Sequence, residues 1–540
     1  MIVRNPVLRG FNPDPSIVRV GDDFYIATST FEWFPGVQIH HSRDLVNWRV
    51  VARPLNRAAQ LDLRGVPDSC GVWAPDLTWA DGRFWLLYTD VKRYGQTTVN
   101  GATGASLRDF HNHLVTSDRI DGPWSDPVHL NSSGFDPALF HDDDGRSWLL
   151  NMLWDHRPDQ GRFAGIIAQE LDRERMTFVG ERRLIFEGTS LGFTEGPHLY
   201  KRDGWYHLLV AEGGTSWDHA VVMARARALH GPYEVHPDGP VLSAHGRRDA
   251  PLARAGHGDL VELADGSWWM AYLCGRPIGG RCMLGRETAI QPMRWGEDGW
   301  LRTADGNGFP AVAPAAPNLP ASPFASPMWD GTFDVDVLPG EFQWLRTPYP
   351  DRLFSLSAHP GHLRLWGRES VGSSFEQSLV ARRVEHHRYV AETRVEVSPA
   401  NFQQAAGLIC YYNSTKFHYL NVTNVDGGRS LQLMSADPTH GCTIATAVER
   451  LPPGPIDLAI RADGDRLLFG WRRADALDWE MLPLARDAGL LSDEVTLPGL
   501  PNFTGTFVGM ACQDMAGTTM AADFAFFRYA GLEEGGAAVD

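Results

Sequence analysis

Along the first 275 residues, the apolar and polar positions repeat one figure five times. An acidic/Gly turn is followed by an aromatic, apolar run: Gly21-Asp22-Asp23-Phe24-Tyr25-Ile26, Asp81-Gly82-Arg83-Phe84-Trp85-Leu86, Asp144-Gly145-Arg146-Ser147-Trp148-Leu149, Asp203-Gly204-Trp205-Tyr206-His207-Leu208 and Asp265-Gly266-Ser267-Trp268-Trp269-Met270. Between these turns lie period-2 runs such as Val37-Gln38-Ile39-His40-His41-Ser42, with no long helical pattern. The figure recurs roughly every 60 residues, a period that suits a four-stranded blade with long loops. The pattern predicts a five-bladed β-propeller.

The pattern then changes. Phe309-Pro310-Ala311-Val312-Ala313-Pro314-Ala315-Ala316-Pro317 reads as an extended connector. Beyond it, runs such as Tyr389-Val390-Ala391-Glu392-Thr393-Arg394-Val395 and Phe417-His418-Tyr419-Leu420-Asn421-Val422 alternate cleanly and lack the aromatic figure. Alternation at short spacing predicts a β-sandwich. The expected fold is all-β, with a propeller over residues 1–308, a Pro/Ala-rich linker over 309–327 and a sandwich over 328–540.

A length of 540 residues accords with two or three domains. The net charge of −17 argues against nucleic acid or an anionic membrane as partner and favours a neutral or cationic substrate. Six scattered cysteines with no CxxC pair argue against a zinc site. The start, Met1-Ile2-Val3-Arg4-Asn5-Pro6, carries no apolar signal region, and no run approaches the ~18 apolar residues of a membrane span. A cytoplasmic location with reduced thiols is the expectation.

Candidate chemistry emerges when the repeats are aligned. Roughly ten to twelve residues before each aromatic run lie Asp14, Ala74, Asp136, Glu195 and His257, each beside Pro or Gly and just before an apolar strand. The innermost strand of every blade lines a shared funnel, so these positions should form a ring. One acidic residue there is most often a solvated turn. Three in one ring repel one another and lose solvation, a cost that structure alone rarely selects. Two carboxylates across a sugar-sized gap suffice for glycoside hydrolysis, and a nearby anion can raise the acid's pKa.

The strings Phe11-Asn12-Pro13-Asp14-Pro15-Ser16-Ile17, Ser29-Thr30-Phe31-Glu32-Trp33-Phe34-Pro35-Gly36-Val37, Gly71-Val72-Trp73-Ala74-Pro75, Ser133-Gly134-Phe135-Asp136-Pro137, Thr194-Glu195-Gly196-Pro197-His198 and Leu284-Gly285-Arg286-Glu287-Thr288 together resemble glycoside hydrolase family 43. The two-domain β-xylosidase branch is the most similar, and the match continues into Phe503-Thr504-Gly505-Thr506-Phe507. The resemblance implies an inverting, exo-acting β-1,4-xylosidase that releases xylose from the non-reducing end of short xylo-oligosaccharides, with side activity on α-L-arabinofuranosides. An α-L-arabinofuranosidase on the same scaffold is the alternative. A non-catalytic sugar-binding propeller is the alternative of another class.

On the family pattern Asp14 is the general base, Glu195 the general acid, and Asp136 the residue that tunes and orients Glu195. Arg286 matches an arginine that bonds sugar hydroxyls, a task suited to several fixed donors. Phe31 and Trp73 match apolar walls, Trp154 the leaving-group side, and Phe503 a sandwich residue that closes the pocket, with Phe507 as its competitor. His257 is expected to hydrogen-bond. The resemblance requires no cofactor and leaves calcium at the propeller centre open, although calcium prefers oxygen ligands. It also leaves a homo-oligomer open. Only Ile278-Gly279-Gly280-Arg281 separate Pro277 from Cys282, a shorter loop than many relatives carry, which bears on the pocket rim.

Overall fold

The computed structural model describes residues 2–95, 97–99, 102–104, 107–157, 160, 162–324, 331–496 and 501–532. The architecture is all-β: five blade-sized antiparallel sheets, then two large ones, with a two-stranded ribbon of Thr97–Val99 and Ala102–Gly104 and short 3-10 turns at Pro350–Arg352 and Ala488–Leu490. Each of the five is a blade. The innermost strands are Ser16–Val20, Gly71–Ala80, Ala138–His141, Glu195–Arg202 and Ala253–Glu262. The aromatic runs form the second strand of each blade, where Phe24, Trp85, Leu149, Leu208 and Trp269 are buried.

The five repeated turns explain themselves. Gly21, Gly82, Gly145, Gly204 and Gly266 all have positive φ, from 64° to 88°. Asp81 and Asp203, just before two of them, are also left-handed at 52° and 51°. Consecutive positive φ values at Asp-Gly match the twist of a tight hairpin.

Side chains of the inner strands stitch blade to blade. Asp259 Oδ2 accepts the Ile17 N–H at 2.7 Å, Ser16 Oγ the Leu77 N–H at 3.0 Å, and Asp76 Oδ2 the Leu139 N–H at 2.8 Å. The first of these joins the last blade to the first and closes the ring.

The second half forms an eight-stranded and a seven-stranded sheet. One strand of the larger sheet comes from the propeller: Trp33–Phe34 pairs antiparallel with Phe342–Leu345. The Trp33 ring stacks on Phe507 at 3.7 Å, and Arg346 reaches back to Asp68 at 2.7 Å. The connector folds back along the propeller, where Val3 N–H donates to Pro314 O and Asn5 N–H to Val312 O. The expected linker end at residue 327 lies outside the described residues.

Candidate active site

The inner strands share an apolar residue: Ile17, Leu77, Leu139, Leu199 and Leu260. Three residues before it stand Asp14, Ala74, Asp136, Gly196 and His257, with φ of 53°, 33°, 54°, 55° and 48°. The structure therefore corrects the expected ring: Gly196, not Glu195, holds the fourth position. Prolines mark the true register, since Pro15, Pro75, Pro137 and Pro197 each follow it. Glu195 sits one residue earlier, and the pairing with the next strand shifts between Glu195 and His198. Left-handed backbone at non-glycine residues costs about 1–3 kcal/mol each and clusters at functional sites. Asp and His tolerate it better than most side chains. At Gly196 a Cβ would also lie 3.0 Å from the His257 ring.

Asp14, Asp136, Glu195, Arg286, Phe31, Trp73, His257 and Phe503 all line one cavity of about 200 Å³. Asp14 is held at both oxygens: Arg286 Nη1 donates to Oδ1 at 2.6 Å and Ser29 Oγ to Oδ2 at 2.6 Å. Ser29 in turn accepts the Ala74 N–H at 2.7 Å. Asp136 Oδ2 accepts the Gly196 N–H at 3.0 Å, which fixes the backbone beside Glu195. On the other flank, Thr194 Oγ1 donates to Glu212 at 2.9 Å.

Among the described residues, no donor lies within hydrogen-bond range of the Glu195 carboxyl. Burial pushes its pKa well above the usual carboxylate range, and the charges of Asp136 and Asp14 add to this against Arg286. Burial, with Asp14, also pushes Asp136 up to about 8. The site thus holds protons on the Asp136–Glu195 side while Arg286 pairs with Asp14. Burial holds His257 down at about 4, so its ring is neutral, with Nδ1 3.8 Å from Asp14 Oδ1.

Aromatic walls complete the cavity. The Trp73 ring lies 5.5 Å from Phe31 and 5.6 Å edge-on from Phe503, and the Arg286 guanidinium stands 5.3 Å over Phe31. Phe503 is anchored by its backbone: its carbonyl accepts from Arg286 Nη2 at 3.1 Å and its N–H donates to Ser69 Oγ at 3.0 Å. Its loop is tied down by Arg254 to Asp493 and Glu494 at 2.9 and 3.0 Å, and by Lys416 to the Ser492 and Val495 carbonyls. Phe507 is fully buried against Trp33 and Phe11, away from the cavity. Trp154 lines not this cavity but an adjoining hollow, with Tyr94, Arg108, Arg162, Phe163 and Phe193. The short loop closes on itself through Ile278 and Arg281, and Arg281 reaches Asp487 of the sandwich at 2.5 Å.

Alignment on the ring missed the residues two positions further along. Asp76, His198 and Asp259 converge on the propeller axis and are the one group among the described residues with metal-ligand spacing. His198 Nδ1 lies 3.5 Å from Asp76 and 3.7 Å from Asp259. Burial alone would lower its pKa, but Asp259 and Asp76 outweigh this and hold it up at about 9. The imidazolium thus supplies the positive charge at this point. Asp259 already accepts from Ile17 N–H and from Tyr200 Oη at 2.5 Å, and Asp76 from Leu139 N–H. Calcium takes six to eight oxygens. These engaged carboxylates, and His257 beside a fully bonded Asp14, do not fit it. Tyr94, Phe135, Phe163, Phe193 and Thr215 also line the active cavity without having been singled out. Phe135 alone carried a signal, standing next to Asp136.

The comparisons match the two-part fold along nearly the whole chain. Residues 3–301 match the family model "Glycosyl hydrolases family 43", and residues 331–530 match "Beta xylosidase C-terminal Concanavalin A-like domain". A Humicola insolens protein named xylosidase/arabinosidase 43B is 49% identical, covering 98% of this chain and 97% of its own. A Bacillus subtilis β-xylosidase is 46% identical over 98% and 99%. The crystal structure of a xylan β-1,4-xylosidase from Bacillus halodurans superposes with a TM-score of 0.92 at 47% identity, covering 98% of this chain and 99% of that one. On these matches and on the carboxylate-lined cavity, the chain belongs to family 43 of the glycosyl hydrolases.

Proposed function

We propose that the protein is an inverting, exo-acting β-1,4-xylosidase that removes xylose from the non-reducing end of short xylo-oligosaccharides. One observation carries the reading: Glu195, buried with no hydrogen-bond donor among the described residues and with its pKa pushed well above the usual carboxylate range, shares one cavity with an Asp14 gripped by Arg286 and Ser29. Asp14 takes a proton from water as that water attacks the anomeric carbon. Glu195 gives its proton to the departing glycosidic oxygen. Asp136 and Glu195 oppose each other's ionisation, which with burial keeps the proton on Glu195, and Asp136 steadies it through Gly196. Arg286 bonds sugar hydroxyls while Phe31, Trp73 and Phe503 cover the ring's C–H face. His257 orients groups beside Asp14. A cavity of about 200 Å³ is smaller than the ~300–1,000 Å³ of sites for drug-sized ligands, so it suits one terminal sugar. No step calls for a metal or cofactor. Free cysteines, five of the six buried, support a reducing, cytoplasmic setting.

A second reading, α-L-arabinofuranosidase, has support in the dual name of the Humicola insolens relative. Aryl β-xyloside and aryl α-L-arabinofuranoside separate the two. The xyloside is expected to have the higher kcat/KM, and the reverse order would favour the second reading. The roles are tested by leaving-group chemistry. Glu195→Ala should lose about 10²–10⁴-fold on xylobiose but far less on 2,4-dinitrophenyl β-xyloside, which needs no protonation. Asp14→Ala should fail on both. Equal losses in the two variants would remove the assignment.

A further inference from the structure

The hollow beside the catalytic cavity shares Tyr94, Phe163 and Phe193 with it and adds Trp154 and two arginines. Arg108 is sandwiched between rings, its guanidinium 3.7 Å over Tyr94 and 4.3 Å over Trp154. Arg162 lines the same hollow and is close enough for its charge to act against that of Arg108. Both are half-buried. Among the described residues no carboxylate lies in ion-pair range of either, whereas nearby Arg157 is paired with Asp155 at 2.5 Å. Two like charges in a partly desolvated hollow, with no carboxylate partner among the described residues, are unfavourable unless something anionic joins them. Cation–π contact holds Arg108 in place and leaves its planar fork of donors pre-organised for a carboxylate.

We propose that Arg108 and Arg162 form a carboxylate-binding subsite for the leaving-group unit, so that the enzyme favours oligosaccharides with an acid on the sugar beside the terminal xylose. This rests on the xylosidase reading, which puts the leaving group at the Trp154 side. The carboxylate can come from a uronic-acid branch or from the oxidised C1 of a terminal aldonic acid.

Two matched pairs distinguish the sources. One is xylobiose bearing α-1,2-linked glucuronic acid on its reducing-end unit, against its methyl ester. The other is xylobionic acid against xylobiitol. In the wild-type protein the acid of at least one pair should exceed its neutral partner about tenfold in kcat/KM. High salt should shrink the ratio. Arg162→Gln, which leaves the Tyr94–Trp154 packing in place, should lower it at least about threefold by loss of one charged hydrogen bond. Arg108→Gln/Arg162→Gln should bring it to about one. Ratios of one or less for both pairs, with xylobiose still cleaved, would overturn the subsite. So would an acid preference unchanged in the variants. A wild-type protein that cleaves no β-xyloside at all would instead sink the activity, and this subsite with it.

Discussion

Glu195 and Asp136 show how one residue's neighbours set its chemistry. Both are buried, and each lies near the charge of Asp14. Replacing Asp136 by Asn removes a group whose ionisation near pH 8 opposes that of Glu195, so the Glu195 pKa should fall. The alkaline limb of kcat/KM on an aryl β-xyloside with a poor leaving group should then move to lower pH, with kcat reduced. A limb that stays in place would show that Asp136 acts only through Gly196. Asp14, Asp136, Arg286, Phe31 and Trp73 were legible in the sequence because each sits in a motif string. Glu195 was found, but in the wrong register: Gly196 precedes Asp203-Gly204 at the same spacing as Ala74 precedes Asp81-Gly82, but the aromatic run of this blade opens at Trp205, the place of Arg83, so counting back from its first aromatic overshoots by one residue. Tyr94, Arg108, Phe163 and Phe193 were not legible, because neither a repeat position nor a motif marks them.

At the scale of elements, the decisive piece is the sandwich loop that carries Phe503. It approaches the propeller backbone so closely that a Cβ on Gly285 would lie 2.6 Å from the Thr504 carbonyl. Gly285 has φ of 74° besides, so the position suits glycine. The two nearby rings should respond differently to truncation. Phe503→Ala should raise KM for xylobiose about tenfold, as a lost aromatic contact worth ~1–1.5 kcal/mol, with little loss of stability. Phe507→Ala should cost about 3–5 kcal/mol of stability, because that ring is fully buried against Trp33. Denaturant unfolding and steady-state kinetics on both variants check this, and a kinetic defect confined to Phe507→Ala would reverse the assignment. The five turns and the change of pattern near residue 309 were legible from periodicity. The pairing of Trp33–Phe34 with the sandwich was not, because a two-residue strand leaves no period.

Across the whole molecule, the axis of the propeller ties stability to pH. His198 has a folded pKa of about 9 against 6.5 unfolded. Its contribution is therefore complete below pH 6.5 and lost as pH rises through 9, on the order of 3 kcal/mol. Asp136 and Glu195, raised in the folded state, act in the same direction at lower pH. Their favourable contribution, present below pH 4, fades as pH rises, by about pH 8 for Asp136. Thermal melts should show stability falling between pH 6.5 and 9, and His198→Gln should flatten that segment. A wild-type Tm that does not fall over this range would contradict a charged histidine on the axis. The ring closed by Asp259 on Ile17 and the sandwich strand supplied by the propeller together hold Asp14, Asp136 and Glu195 around one cavity.

The most direct test of the central claim is the anomer first released from xylobiitol, whose leaving group xylitol has no anomeric carbon, followed by proton NMR from the start of the reaction. A base and an acid that act on opposite sides of one bond through water should yield α-xylose first, with the β form growing in only by mutarotation. β-Xylose appearing first would mean a covalent, retaining route and would contradict the roles given to Asp14 and Glu195.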